Sequence, residues 1–222
     1  MTYFANLTMA LVKTALAALV GAMSIGPTLG YAQAFPNTQQ ADTAAAKQMF
    51  DSLLKQAEAG DAEAQQRIGG MYSSGTGVIK NPMKAADWWK KSAAQGNPGG
   101  QLGIGYVGYW LGNGVPMDKL KGLELVQKAA AQGLVRAQSV IGNMYTDKDS
   151  PARDLVLAYA WTNLAAGSGD QVAAIYRTYI EETVTFTGPR GVEREMTQSA
   201  IAEAQRLSST WKKGGILVRK TR

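Results

Sequence analysis

Apolar side chains return every three or four residues along most of this chain, in short runs that glycine cuts. In "AEAQQRIGGMYSS" (62–74) Ala64, Ile68, Met71 and Tyr72 fall at helical spacing, and in 82–95 Ala85, Ala86, Trp88, Trp89 and Ala93 do the same. The polar positions mark the ends. Gly60 closes one helix, since glycine takes the left-handed conformation without a Cβ penalty. Asp61 offers a carboxylate to a free backbone N–H of the next. "GTG" (75–77) interrupts, Asn81 caps again, and Pro82 occupies a first helical position, where its missing N–H costs nothing. The spacing predicts a helix–turn–helix unit over 62–74 and 82–95.

That unit comes back. "DWWKKSAAQG" (87–96) recurs as "ELVQKAAAQG" (124–133) and "AWTNLAAGSG" (160–169), and the closing glycines, Gly96, Gly133 and Gly169, are 37 and 36 residues apart. A fixed period of this size marks stacked supersecondary units. The second period carries one extra residue in its first helix: Gln101, Ile104 and Gly105 match Gln65, Ile68 and Gly69. Beyond the insertion Tyr109, Gly112, Gly114, Val115, Asp118 and Lys121 match Tyr72, Gly75, Gly77, Val78, Asn81 and Lys84. The third period gives Ala137, Gln138, Ile141, Gly142, Tyr145, Asp154, Ala158 and Trp161, and its turn "TDKDSPAR" lacks G-x-G. Further helix pairs are expected at 101–111/119–132 and 138–146/155–166, with "AAAKQMFDSLLKQAEAG" (44–60) as a lone second helix.

The pattern A-x-x-G-D-x-x-A-Q-x-x-[IL]-G-x-x-Y-x-x-G-x-G-V…N-x-x-K-A-x-x-W-x-x-K-x-A-x-Q-G resembles the Sel-one-like repeat, a tetratricopeptide-related family, over about 57–169. "MTQSAIAEAQRLSSTW" is similar to the capping helix of bacterial members. The resemblance implies an all-α, α/α superhelical solenoid and a non-catalytic adaptor that holds a protein or peptide on a helical surface. Physics agrees, because each unit buries its apolar face only against its neighbours. The expected organisation is a half-repeat at 35–60, three repeats at 61–169, capping helices at 170–211 with an insertion at 183–195, and a basic tail at 212–222.

Three places depart from the pattern. "GGQLGIGYVGYWLG" holds Gly99, Gly100, Gly103, Gly105 and Gly108, which fits close helix packing through small residues or a backbone approach to a ligand. Trp110 stands where the other repeats have Ser73 and Thr146; a position that takes hydroxyls is expected to be exposed, so Tyr106, Tyr109 and Trp110 are the candidate partner-binding patch. "TVTFTGPRGVERE" (183–195) reads as a loop or a broken helix, and "VTFT" has no evident pairing partner.

Composition narrows the chemistry. The 222 residues include no cysteine and no histidine. Disulfides, thiolate metal sites, a lipid-modified cysteine and every Ser-His-Asp arrangement are therefore excluded, and neither metal nor cofactor is expected. Some cysteine-rich relatives are described as acting on β-lactams, and S-x-x-K occurs twice, at Ser52–Lys55 and Ser209–Lys212. S-D-N and K-T-G are both missing, so these are incidental matches. A cell-wall ligand would suit the tryptophans but has no motif.

Residues 1–34 differ in kind: Lys13, the apolar run "ALAALVGAMSIG" (15–26), Pro27 and "AQA" (32–34) are ordered as in a secretory signal, with Met1 or Met9 as the start. Twelve apolar residues fall short of the ~20 that span a bilayer. A periplasmic or secreted location is expected. The net charge of +6 is mild, and the expected partner is a protein or peptide rather than a nucleic acid. The tail "WKKGGILVRKTR" reads either as a contact for an anionic surface or as a solvated end.

Overall fold

A computed structural model describes residues 38–183, 185–188, 191–194 and 196–218. The leader (1–34) and the end of the basic tail (219–222) lie outside them. The chain divides after Asp42 into two compact units. Of the first, only the opening turn of a helix is described; the second carries the repeats.

Helix α1 (Thr38–Glu58) comes first. Three pairs come after it: α2 (Ala62–Ser74) with α3 (Pro82–Ala94), α4 (Pro98–Leu102) and its extension with α5 (Lys119–Ala131), and α6 (Val135–Thr146) with α7 (Leu155–Gly167). Helix α8 (Gln171–Thr183), a hairpin of β1 (Thr185–Gly188) and β2 (Gly191–Arg194), and α9 (Gln198–Thr210) close the array. It is an all-α solenoid of helix–turn–helix repeats.

Asp61, Asn81, Asp118 and Asp154 each cap a helix through a side-chain oxygen. The last three also donate their own N–H to the carbonyl of Tyr72, Tyr109 and Tyr145, at 2.8, 2.9 and 3.1 Å. One residue thus starts the second helix and ties it to the end of the first.

Two apolar clusters fill the interior. Phe50, Ile68, Tyr72, Trp89 and Ile104 belong to the first; Trp110, Val126, Ile141, Met144, Trp161 and Ile180 belong to the second. A buried glutamine sits at the same place in each repeat (Gln65, Gln101 and Gln138), and in the first two repeats an exposed glutamine at the end of the second helix reaches it. Gln95 Nε2 donates to Gly60 O (2.9 Å) and to Gln65 Oε1 (2.8 Å), and one period on Gln132 Nε2 donates to Gly96 O (3.1 Å) and Gln101 Oε1 (2.9 Å). The Q-G of the first two repeats therefore links their second helices to the turn that precedes the repeat.

The structure departs from the expectations at four points. The extra residue of the second repeat is absorbed by winding: α4 continues as a π-helix, Gly103–Trp110, in which Leu111 N donates to Tyr106 O at 3.0 Å. Five residues per bond take up the insertion, so that both Gly105 and Tyr109 keep their repeat positions. Trp110 is not exposed. It is 5% accessible and joins the second cluster, while Lys119 lies 4.9 Å over its ring. The comparison that suggested exposure fails because Thr146 is itself buried, its hydroxyl donating to Gly142 O at 2.8 Å.

The insertion is a hairpin rather than a loop or broken helix: Thr185 pairs with Arg194 and Gly188 with Gly191, antiparallel. The described part of that segment, "TFTG", finds its partner in "GVER", within the same insertion. The tail from Trp211 to Val218 is no solvated end. Trp211 meets Trp161 edge to face at 6.1 Å, Gly214 N donates to Ala131 O at 2.6 Å, and Leu217 is buried.

Candidate functional site: the wall of first helices

The first helices of successive units (α2, α4 with its π extension, α6 and α8) carry three partly exposed positions in each unit, Gly103 being covered on its Cβ side by the Trp89 ring and Leu102, Tyr106, Val140, Tyr176 and Tyr179 packing partly against the core. Gln66, Leu102, Ser139 and Ile175 share the first; Arg67, Gly103, Val140 and Tyr176 the second; Gly70, Tyr106, Asn143 and Tyr179 the third. All twelve residues are half-buried or exposed. The wall changes character along the array. It is polar at Gln66 and Arg67 and apolar at Ile175, Tyr176 and Tyr179, where Val172 and Ile175 are also solvent-exposed.

At the apolar end the tyrosines converge. The Tyr176 and Tyr179 rings are 5.7 Å apart. Burial, then the neighbouring Tyr179 phenol, then Tyr106 and Asp147, push the Tyr176 hydroxyl up to about 12, against a lowering hydrogen bond to Thr146. Burial and then Asp147 also raise Tyr106. These phenols are neutral donors at physiological pH. Burial would raise the Asp147 carboxyl, but the Asp149 N–H (3.0 Å) and the Lys119 ammonium (3.1 Å) together hold it below the ordinary carboxylate range. The arrangement offers aromatic area with polar tips beside a fixed negative charge, which suits a protein or peptide surface.

Of the three residues singled out from sequence, only Tyr106 lies on this wall. Tyr109 packs half-buried against the first cluster, with Lys121 Nζ 4.4 Å over its ring, and Trp110 is core. Val140, Val172, Ile175, Tyr176 and Tyr179 were missed. Reading one position across three repeats could not find them; reading the wall positions across four units shows polar residues giving way to apolar ones.

The glycines of the second repeat are packing contacts. A Cβ on Gly103 would meet the Trp89 ring at 2.7 Å, one on Gly105 would meet Leu125 Cβ at 2.9 Å, and one on Gly122 would meet Gly105 O at 2.7 Å. Ser52, Lys55, Ser209 and Lys212 are all exposed, and the Ser209 hydroxyl donates to Arg206 O at 3.0 Å. Among the described residues no group of acidic side chains is placed to hold a metal, and no helix is long and apolar enough to cross a membrane.

The model of the Sel1 repeat matches residues 62–97, 100–134 and 136–170. In solved structures the chain is similar to c5321, a protective antigen of uropathogenic Escherichia coli with this repeat fold (TM-score 0.62, 26% identity, 82% of this chain and 35% of that one). It is also similar to a Sel1 repeat protein from Oxalobacter formigenes (TM-score 0.54, 31% identity, 59% of this chain and 53% of that one). A curated relative is chitin synthase regulatory factor 3 of Schizosaccharomyces pombe, 28% identical over 131 residues, which are 57% of this chain and 14% of that protein. The chain thus spans a minor part of the curated relative and about half or less of the solved ones. Residues 62–170 are repeats of the Sel1/tetratricopeptide-like helical family, whose fold is typically a non-catalytic scaffold for protein–protein contacts.

Proposed function

We propose that the chain is an exported, periplasmic adaptor that binds a peptide or protein segment along the wall of first helices, with its apolar anchors at Tyr106, Val140, Ile175, Tyr176 and Tyr179. The observation that carries this reading is the change from polar to apolar at equivalent partly exposed positions, ending in half-buried tyrosines. A solenoid needs its inward positions for stacking, but nothing in stacking requires Ile175 or Val172 to face water. Aromatic anchors ringed by polar groups are what binding hot spots use. The order of Lys13, apolar run and "AQA" supports export, and a regulatory role or inhibition of a toxin both suit such an adaptor.

A photo-crosslinking amino acid placed at Val172 in living cells tests it. A discrete protein adduct in the periplasmic fraction, lost when Ile175→Asp and Tyr179→Ala are added, is the expected result. Absence of any light-dependent adduct from a chain that folds and is exported would overturn the reading.

A further inference from the structure

Away from the wall, the turns joining the two helices of repeats one and two form a continuous edge. Five large apolar side chains stand out from it: Ile79 at 88% exposure, Met83 at 66%, Met117 and Leu120 at 61% each, and Leu111 at 52%. The backbone brings the start of the first repeat's second helix up to the second turn. A Cβ on Gly77, in the first turn, would run into Ala46 O in α1, and one on Gly114, in the second turn, would run into Pro82 O at the start of α3. Each turn is therefore seated on the preceding second helix, which brings Met83 beside the turn that carries Leu111 and Met117.

The same edge is cationic. Segments 75–84 and 111–121 contain Lys80, Lys84, Lys119 and Lys121 against one acid, Asp118. The Asp118 carboxylate is engaged as a helix cap, accepting from Lys121 N at 3.0 Å. Lys84 Nζ lies 5.3 Å over Tyr72 and Lys121 Nζ 4.4 Å over Tyr109, so each ammonium is held against the tyrosine that ends its repeat's first helix. The third turn differs: it carries Asp147 and Asp149, and Asp147 is bound to Lys119. Core packing uses none of these five side chains, and five large apolar residues exposed on two successive turns are more than the single exposed residues that are ordinary.

We propose that this edge docks on an anionic lipid surface, with Ile79, Met83, Leu111, Met117 and Leu120 entering the headgroup layer and Lys80, Lys84 and Lys121 facing lipid phosphates, Lys119 being paired with Asp147. Shallow apolar insertion and cation attraction add together at such a surface. The chain lies on the membrane without crossing it, and the wall of first helices stays free. This is independent of what the wall binds.

Protein purified from expression of the whole chain is sedimented with vesicles of equal parts phosphatidylglycerol and phosphatidylcholine, and with phosphatidylcholine alone. Binding to the anionic vesicles is expected. It should weaken about fivefold for each lysine removed, as in Lys80→Gln or Lys84→Gln, and fall further as salt rises to about 0.5 M. The variant Ile79→Ser/Met83→Ser/Met117→Ser/Leu120→Ser should lose binding while its unfolding midpoint is kept; if it does not fold, Lys80→Gln/Lys84→Gln carries the test. Ile175→Asp, on the wall, should still bind. Failure to sediment with anionic vesicles, or binding that these turn variants leave unchanged, overturns the proposal. Loss of binding only when Arg219, Lys220 and Arg222 are made Gln would overturn it too, by placing the contact in the tail. So would turn variants that release a protein partner but leave vesicle binding intact.

Discussion

The indole of Trp89 lies directly over the Cα of Gly69: a methyl group there would come within 2.5 Å of the ring's Cδ1 and Nε1. The ring cannot give way easily, because Nε1 donates to Gln66 O at 3.2 Å and the side chain is 5% exposed. The second and third repeats keep the relationship. Gly105 faces Leu125 and Val126, and Gly142 faces the Thr162 methyl.

Gly69→Ala should accordingly lower stability by about 1–3 kcal/mol, the usual cost of overpacking, despite the gain of about 1 kcal/mol that alanine brings to a helix interior. Gly70→Ala is the control. Nothing lies within 4 Å of a Cβ at Gly70, so propensity alone should raise the urea midpoint. Equal shifts for the two variants would show that the ring accommodates a methyl.

The tryptophan pair divides its roles. Trp89 is core, whereas Trp88 is half-buried with Lys91 Nζ 4.2 Å over its ring. Trp89→Ala should cost about 3–5 kcal/mol and Trp88→Ala distinctly less. Denaturant midpoints that reverse this order would contradict the packing described.

Gln132→Ala removes the donor to Gly96 O and leaves Gln101 Oε1 without that bond. A loss of about 1–2 kcal/mol is expected. Because the bond to Gly96 O crosses into the preceding repeat, amide hydrogen exchange should quicken at the start of the second repeat; uniform protection throughout would count against the inter-repeat link.

Alkaline pH should unfold the chain sooner than an exposed set of tyrosines would. In the unfolded chain the Tyr176 phenol titrates near 10, and in the folded chain at about 12. Its contribution is fully present below 10 and is lost as pH rises from 10 toward 12, because there the unfolded state holds fewer protons. Tyr106, Tyr145 and Tyr159 are raised as well. Absorbance titration at alkaline pH should show Tyr176→Phe lacking a late-ionising phenol; an unchanged curve would contradict its burial.

Much of this architecture is local chemistry that the sequence states directly. Asp61, Asn81 and Asp118 cap, Gly75, Gly77, Gly112 and Gly114 take positive φ, and the residues at 64, 68, 71 and 72 are buried as their helical spacing predicts. Such features depend on one residue and its near neighbours, and the period repeats them. What the sequence could not decide was how one extra residue in 98–110 would be accommodated, since a looped-out residue and a π-turn fit the same letters. Only packing of Gly105 against Gly122 and of Trp110 into the next repeat selects the π-helix. Nor could it place Trp211 on Trp161 or bring Tyr106 near Tyr176, which lie 50 and 70 residues apart. Those contacts exist because the array stacks units side by side, and distance in a stack is set by the number of repeats between two residues rather than by the chain between them.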